Sequence, residues 1–295
     1  CNSAGVWQPE SAPTLSRSWT VAANAARVRI SEVLAANGTA VLWNDAYPDL
    51  VELHNDGPDP ADLSGLSLTD NLDAPRAFTF APNTILAPDE YMVLIADQNT
   101  AAPGIHLGFQ LSREGGLVAL FDRASNGGQL LDRVDYGLQI QGLSIARADS
   151  GEWRLASPTL GGPNQPVLLG DASRGRINEW LANAGLTHRN DFLELYNPEA
   201  LPVALGGFFL TDEPAGWPRQ HPLPPLTFLP ARGYALFIAD GDPDQGGDHL
   251  NFKLALEQGL LGLFDQTGSP VDIVAYGPQQ PDQSEGRTPN ASPNI

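Results

Sequence analysis

One cysteine, one methionine and one lysine are all that this chain of 295 residues contains of those types. A lone thiol leaves no intramolecular disulfide and no Cys-x-x-Cys pair for metal or redox work. With Lys253 the only lysine, arginine carries nearly all the positive charge. The 16 basic residues stand against 35 acidic ones, a net charge of -19. Such a balance opposes phosphate backbones, which are held by clustered Lys and Arg, and so argues against nucleic-acid binding. No stretch approaches the roughly 18 consecutive apolar residues of a transmembrane helix. A Gly-x-Ser-x-Gly elbow, a His-Glu-x-x-His pair and a Gly-rich phosphate loop are also missing. No window carries the 3.6-residue period of a long amphipathic helix.

What is abundant is turn chemistry. The chain holds 30 glycines and 26 prolines, an excess that punctuates short strands and leaves little room for helix. Its single cysteine is Cys1, the first residue. That placement resembles a mature bacterial lipoprotein, in which processing exposes a cysteine that is then acylated. Residues 2–26 lack any period of 2 or 3.6 and are expected to form an extended tether, able to reach roughly 80 Å at full extension. Trp7 and Trp19 are its large aromatics and its candidate partner contacts.

Self-comparison reveals an internal repeat. Arg29-Ile30-Ser31-Glu32-Val33-Leu34 returns as Arg176-Ile177-Asn178-Glu179-Trp180-Leu181. Asp49-Leu50-Val51-Glu52-Leu53-His54-Asn55 returns as Asp191-Phe192-Leu193-Glu194-Leu195-Tyr196-Asn197. Tyr91 to Asp97 matches Tyr234 to Asp240, and His106 to Leu111 matches His249 to Leu254. Asp132, Val134, Tyr136 and Gly137 meet Asp272, Val274, Tyr276 and Gly277. The blocks keep one order at an offset of about 140 residues, and the drift falls in loops. Within the blocks, Leu50, Glu52 and His54 alternate with Val51, Leu53 and Asn55, the period of a half-buried strand. Tyr91 to Ala96 is a near-continuous apolar run, as in a buried one. The expectation is an all-β protein of two tandem immunoglobulin-like β-sandwiches. Their boundaries are 1–26 for the tether, 27–165 for the first sandwich, 166–172 for a linker and 173–295 for the second. The second half closes about ten residues earlier and has no counterpart of Trp153.

The ordered set resembles the lamin tail domain, an immunoglobulin-like sandwich of nuclear lamins and of many secreted or surface bacterial proteins. The resemblance is carried by the Ile-x-Glu opening, the Glu-Leu-x-Asn strand, the Leu-x-Gly-x-x-Leu-x-Asp segment, the Asp-x-x-x-Tyr strand and the closing Pro-Asn. These close at Gly162-Pro163-Asn164 and Ser292-Pro293-Asn294. It implies a binding or structural module and lowers the expectation of catalysis.

The residues that bear chemistry fit that expectation. His106 and His249 are repeat equivalents and are read as fold residues that bond a loop carbonyl; His54, His188 and His221 are the others. Glu32 and Glu52, with Glu179 and Glu194, place paired acids on adjacent strands. Such a pair can act as acid and base, but these are expected to face solvent or to bond loop amides and arginines such as Arg147 and Arg287. Asp240, Asp242, Asp244 and Asp248 form the one candidate metal loop, for Ca²⁺, although Gln245 and Asn251 break the EF-hand spacing. No other cofactor is expected. Trp43, Trp180 and Trp217 are candidates for stacking on sugars. The expected function is a non-catalytic, lipid-anchored accessory subunit on the periplasmic face or surface of a bacterium. It would dock on a respiratory, photosynthetic or secretion complex through the tether and the first sandwich. The alternative is an adhesion module for carbohydrate or protein, assisted by Ca²⁺.

Overall fold

The computed structural model describes residues 27–293. The expected tether, with Cys1, Trp7 and Trp19, lies outside the described residues, as does Asn294. Among the described residues there is no α-helix, only three short 3-10 turns at Ala124–Asn126, Ala172–Arg174 and Pro243–Gln245.

The first half folds around the opening strand Val28–Leu34. It pairs antiparallel with Asp49–Asn55 on one side and Ser144–Arg147 on the other. Tyr91–Ala96 extends the sheet beyond Asp49–Asn55. Trp153–Ser157 and Gln165–Pro166 extend it on the opposite flank, giving six strands. The facing sheet has four strands, in the order Phe78–Thr79, Ser67–Thr69, Gly116–Phe121, Leu130–Tyr136. Ile30, Val51, Leu53 and Leu94 from one sheet meet Leu68, Val118, Leu120 and Val134 from the other in one core.

Residues 176–286 repeat these pairings. Arg176–Leu181, Phe192–Tyr196 and Tyr234–Ile238 form one sheet, with Glu285–Gly286 beside the opening strand. Its facing sheet runs His221–Pro222, Phe209–Thr211, Gly259–Phe264, Pro270–Tyr276. Register is kept as well: Glu32 stands opposite Glu52 and Ala146, and Glu179 opposite Glu194 and Gly286. Among the described residues the hairpin strand Trp153–Ser157 has no counterpart in the second half, so Glu285–Gly286 is the outer strand there.

The recurring motifs have local causes. Asn55 and Asn197 end their strands fully buried, with Nδ2 donating to the carbonyls of Leu86 and Ala87 in one case and Leu201 and Pro230 in the other. Their Oδ1 atoms accept from Gly57 N and Glu199 N two residues on, the asparagine turn that reverses each chain. At the other strand end, Asp49 and Asp191 accept from Asn37 N and Ala184 N.

The connection between the halves differs from the expected linker. Gln165–Pro166 is a strand paired with Ala156 and Ser157, and Val167 N donates to Leu155 O at 3.0 Å. Proline is tolerated here because an outermost strand needs no inward N–H from it. Gly170 N already donates to Pro202 O in the second half. The free part of 166–172 is therefore short. The halves also interlock: Phe228 belongs to the first core and Leu138 to the second. Three hydrogen bonds cross there, Gly137 N to Pro225 O at 2.7 Å, Phe228 N to Leu138 O at 2.9 Å and Gln139 Nε2 to Leu226 O at 2.8 Å. Glycine is required at this joint. A Cβ on Gly137 would lie 2.0 Å from Thr227 Oγ1, and one on Gly247 would lie 2.5 Å from Glu114 O.

Candidate functional site

The opening strand of each half carries a β-bulge, between Ile30 and Glu32 in the first and between Ile177 and Glu179 in the second. Each bulge is fastened in the same way. Ile30 N donates to Asp132 Oδ2 at 2.9 Å, and Arg147 donates through Nε to Ile30 O and through Nη2 to Asp132. Ile177 N donates to Asp272 Oδ2 at 2.9 Å, and Arg287 donates through Nε to Ile177 O and through Nη2 to Asp272. Bulges recur next to functional sites because they re-aim side chains. Here the re-aimed side chains are the paired glutamates.

In the first half Glu32 and Glu52 are fully buried. Of the two expected settings, solvent or loop amides, this pair takes the loop amides. Glu32 accepts from Ser144 Oγ and from Thr159 N, and Glu52 Oε2 accepts from Gly161 N. Arg147 and Arg287 do not reach the glutamates; they serve the bulge aspartates. Leu160, between the two donating amides, packs with Trp43 and Val41 on Leu34, Leu50 and Ile95. This cover seals the outer face of the sheet and explains why Asp49–Asn55 is buried on both faces instead of alternating. Burial pushes the Glu52 carboxyl up to about 7 and raises that of Glu32 as well.

The second half leaves the same face half open. Its strand Phe192–Tyr196 does alternate, with Leu193 and Leu195 buried and Glu194 half-buried. Glu194 Oε1 accepts from Asn178 Nδ2 at 3.2 Å, and Glu179 from Ser284 Oγ. The segment in the place of Thr159 to Gly161 begins with Pro289, which has no N–H to give, and Asn290 stands where Leu160 is.

His106 and His249 serve the fold, each tied to a carboxylate. His106 Nδ1 lies 2.6 Å from Asp97 Oδ1, and His249 Nδ1 lies 2.8 Å from Asp240 Oδ2. Both sit where a short parallel bridge joins their loop to the strand, Ile95 to His106 and Ile238 to His249. For His106 a loop carbonyl, Pro103 O, lies 3.4 Å from Nε2. His54 stacks on Tyr91 with ring centroids 4.0 Å apart, and its Nε2 is 3.1 Å from Asp89.

The candidate Ca²⁺ loop is closed by its own bonds. Asp240 accepts from Asp242 N and from Gln245 Nε2, and the same Gln245 amide donates to Asp242. Among the described residues no group of three or more His, Cys, Asp and Glu is placed to hold a metal ion. Asp240, Asp242, Asp244 and Asp248 are thus not gathered into one. Of the candidate stacking tryptophans, Trp180 is fully buried in the second core, a correction that follows from its inward position on the opening strand. Trp43 is half-buried against Leu34, Leu50 and Ile95, and Trp217 is 53% exposed. A cleft of about 680 Å³ gathers Arg27, Arg29, Arg123 and Arg147, a sign that the sequence analysis missed. Each arginine is already paired: Arg27 and Arg29 with Asp56, Arg123 with Asp62, Arg147 with Asp132.

No curated protein and no solved structure matches this chain. The model of the Lamin Tail Domain family matches residues 21–138, and the all-β, immunoglobulin-like fold built above is the one that match implies.

Proposed function

We propose that the chain is a non-catalytic accessory subunit, built from two lamin-tail-like sandwiches in tandem, that presents loops and strand edges to a protein partner. The observation that carries this reading is the clamp of Arg147, Asp132 and Ile30 and its repetition by Arg287, Asp272 and Ile177. The same Arg and Asp pair is spent, twice over, on holding a bulge in register. The repeated pairing registers support a second lamin-tail-like unit beyond the matched residues. In this reading residues 2–26 with the first sandwich dock on a membrane protein complex. Purification in mild detergent tests the docking: a stoichiometric complex is expected, and a lone monomer overturns it.

A further inference from the structure

Tyr234–Ile238 is the outermost strand of its sheet. Gly233 O accepts from Asn197 N and Ala239 N donates to Asp191 O, so the odd-numbered residues bond to the neighbouring strand Phe192–Tyr196. The alternate residues turn their main-chain groups to the far side. There Ile238 N donates to Asp248 O and Ile238 O accepts from Leu250 N. At Tyr234 and Leu236 no such bond is made among the described residues. Exposed edges are commonly guarded by charge, proline or a bulge; the run Tyr-Ala-Leu-Phe-Ile has none of these. In the first half the equivalent Tyr91 and Val93 are half-buried, Tyr91 stacked on His54 and Val93 packed on the same cluster as Trp43 and Leu160. Tyr234 and Leu236 are 45% and 47% exposed.

The outer face behind this edge carries carboxylates and aromatic rings. Glu194 stands opposite Leu236 and Tyr196 opposite Tyr234, so all four side chains share one face. The two tyrosine rings lie 4.9 Å apart, and Asn290 Nδ2 donates to the Tyr234 hydroxyl. Glu179 stands opposite Glu194 on its other side. Both glutamates are bonded by neutral donors, Asn178 Nδ2 and Ser284 Oγ. The basic side chains of this half that meet a carboxylate meet Glu199, Asp240, Asp272 or Asp282. Burial raises the Glu194 carboxyl, and the charge of Glu179 adds to the rise. Arg176, opposite Tyr196, turns Nη1 onto Ser173 O and Gly175 O, and Arg232 lies two residues before Tyr234. Both flank the tyrosine end, which leaves the Leu236 end to the glutamates.

We infer that this edge binds an extended, basic segment of a protein partner, which adds to Tyr234–Ile238 as an antiparallel strand and places an arginine or lysine opposite Leu236. Main-chain hydrogen bonds to Tyr234 and Leu236 supply affinity, and alternate side chains supply specificity. Neighbouring strands lie about 4.8 Å apart, so a long basic side chain opposite Leu236 crosses one strand to reach Glu194. Its stem lies along Leu236, and its cation comes within reach of the exposed Tyr234 ring. Charge complementarity selects this occupant, because a second copy of a chain of net charge -19 brings like charge to the face. The contact involves a second partner and does not depend on the docking proposed for the first half.

The test is titration of the full chain with the peptide acetyl-Thr-Val-Arg-Val-Thr-amide, followed by amide and carboxyl resonances. The Leu236 and Tyr234 amides should shift saturably, and the titration of the Glu194 carboxyl should move to lower pH. A peptide with glutamate in place of arginine, or with the main-chain nitrogen of the arginine methylated, should bind at least tenfold more weakly. Leu236→Pro removes an edge N–H that bonds nothing in the fold, so it should abolish binding with little change in melting temperature. Glu194→Gln should remove the preference for arginine over leucine at the central position. The inference is overturned if the peptide does not saturate, if the glutamate or methylated peptide binds as well, or if either variant binds like the parent. Dimerisation that the peptide does not reverse would give the edge to a second copy and overturn it too. So would peptide binding seen only after residues 2–26 are deleted, which gives the edge to the chain's own N-terminal segment.

Discussion

Arg287 holds Asp272 with two contacts from one nitrogen, Nη2 lying 3.0 and 3.1 Å from the two carboxylate oxygens, while Nε donates to Ile177 O at 2.8 Å. The side chains are 6% and 12% exposed, against 19% and 14% for Arg147 and Asp132. Removing one partner of a buried pair strands the other charge, at a cost of about 3–5 kcal/mol. Arg287→Ala should therefore destabilise the second half by about 3 kcal/mol, and Arg147→Ala should cost less in the first. Arg154→Ala, which removes the exposed, solvent-screened pair with Glu152, should have little effect. Urea unfolding of the full chain reads all three. Equal effects for Arg287 and Arg154 would show that the bulge clamp adds nothing.

Glu52 sets a pH dependence. Its carboxyl rises from 4.5 to about 7 in the folded chain, with burial the main cause. In the unfolded chain it ionises near its ordinary value. Between these pH values the folded state binds more protons, so stability falls as pH rises. The loss is complete above about pH 7 and amounts to about 3 kcal/mol. Glu52→Gln should flatten the fall in melting temperature between pH 4.5 and 8 relative to the parent. Glu32 and Asp49, also raised by burial, contribute with the same sign and remain in both proteins. Parallel curves for parent and variant would rule out Glu52 as the source.

Phe228 lies in the chain of the second half but in the core of the first. A buried Phe→Ala change costs about 3–5 kcal/mol. Phe228→Ala should thus lower the stability of the first half by about 3 kcal/mol. Residues 27–165 expressed alone should melt lower than the same residues in the full chain. Differential scanning calorimetry checks both, and an isolated first half as stable as in the intact protein contradicts the interlock.

Docking through the tether predicts a separable phenotype. Deleting residues 2–26 should release the chain from its complex while leaving both sandwiches folded. Retained complex formation would move the docking surface elsewhere. So would its loss on deleting only residues 173–295.

The sequence alone determined the all-β class, because alternation and turn residues are local properties of the chain. The fate of the glutamates was not legible there. Glu52 and Glu194 occupy the same place in the same pattern, yet one is sealed and the other is half-buried. The difference comes from segments more than 90 residues away in sequence, where Thr159 and Gly161 supply amides and Pro289 does not. Trp180 reads as a surface aromatic until the packing of two sheets turns it inward. The crossing of Phe228 and Leu138 between cores likewise exists only once the two halves are packed together. Burial, partners of charged groups and the joint between the halves depend on long-range contacts, which only the tertiary structure decides.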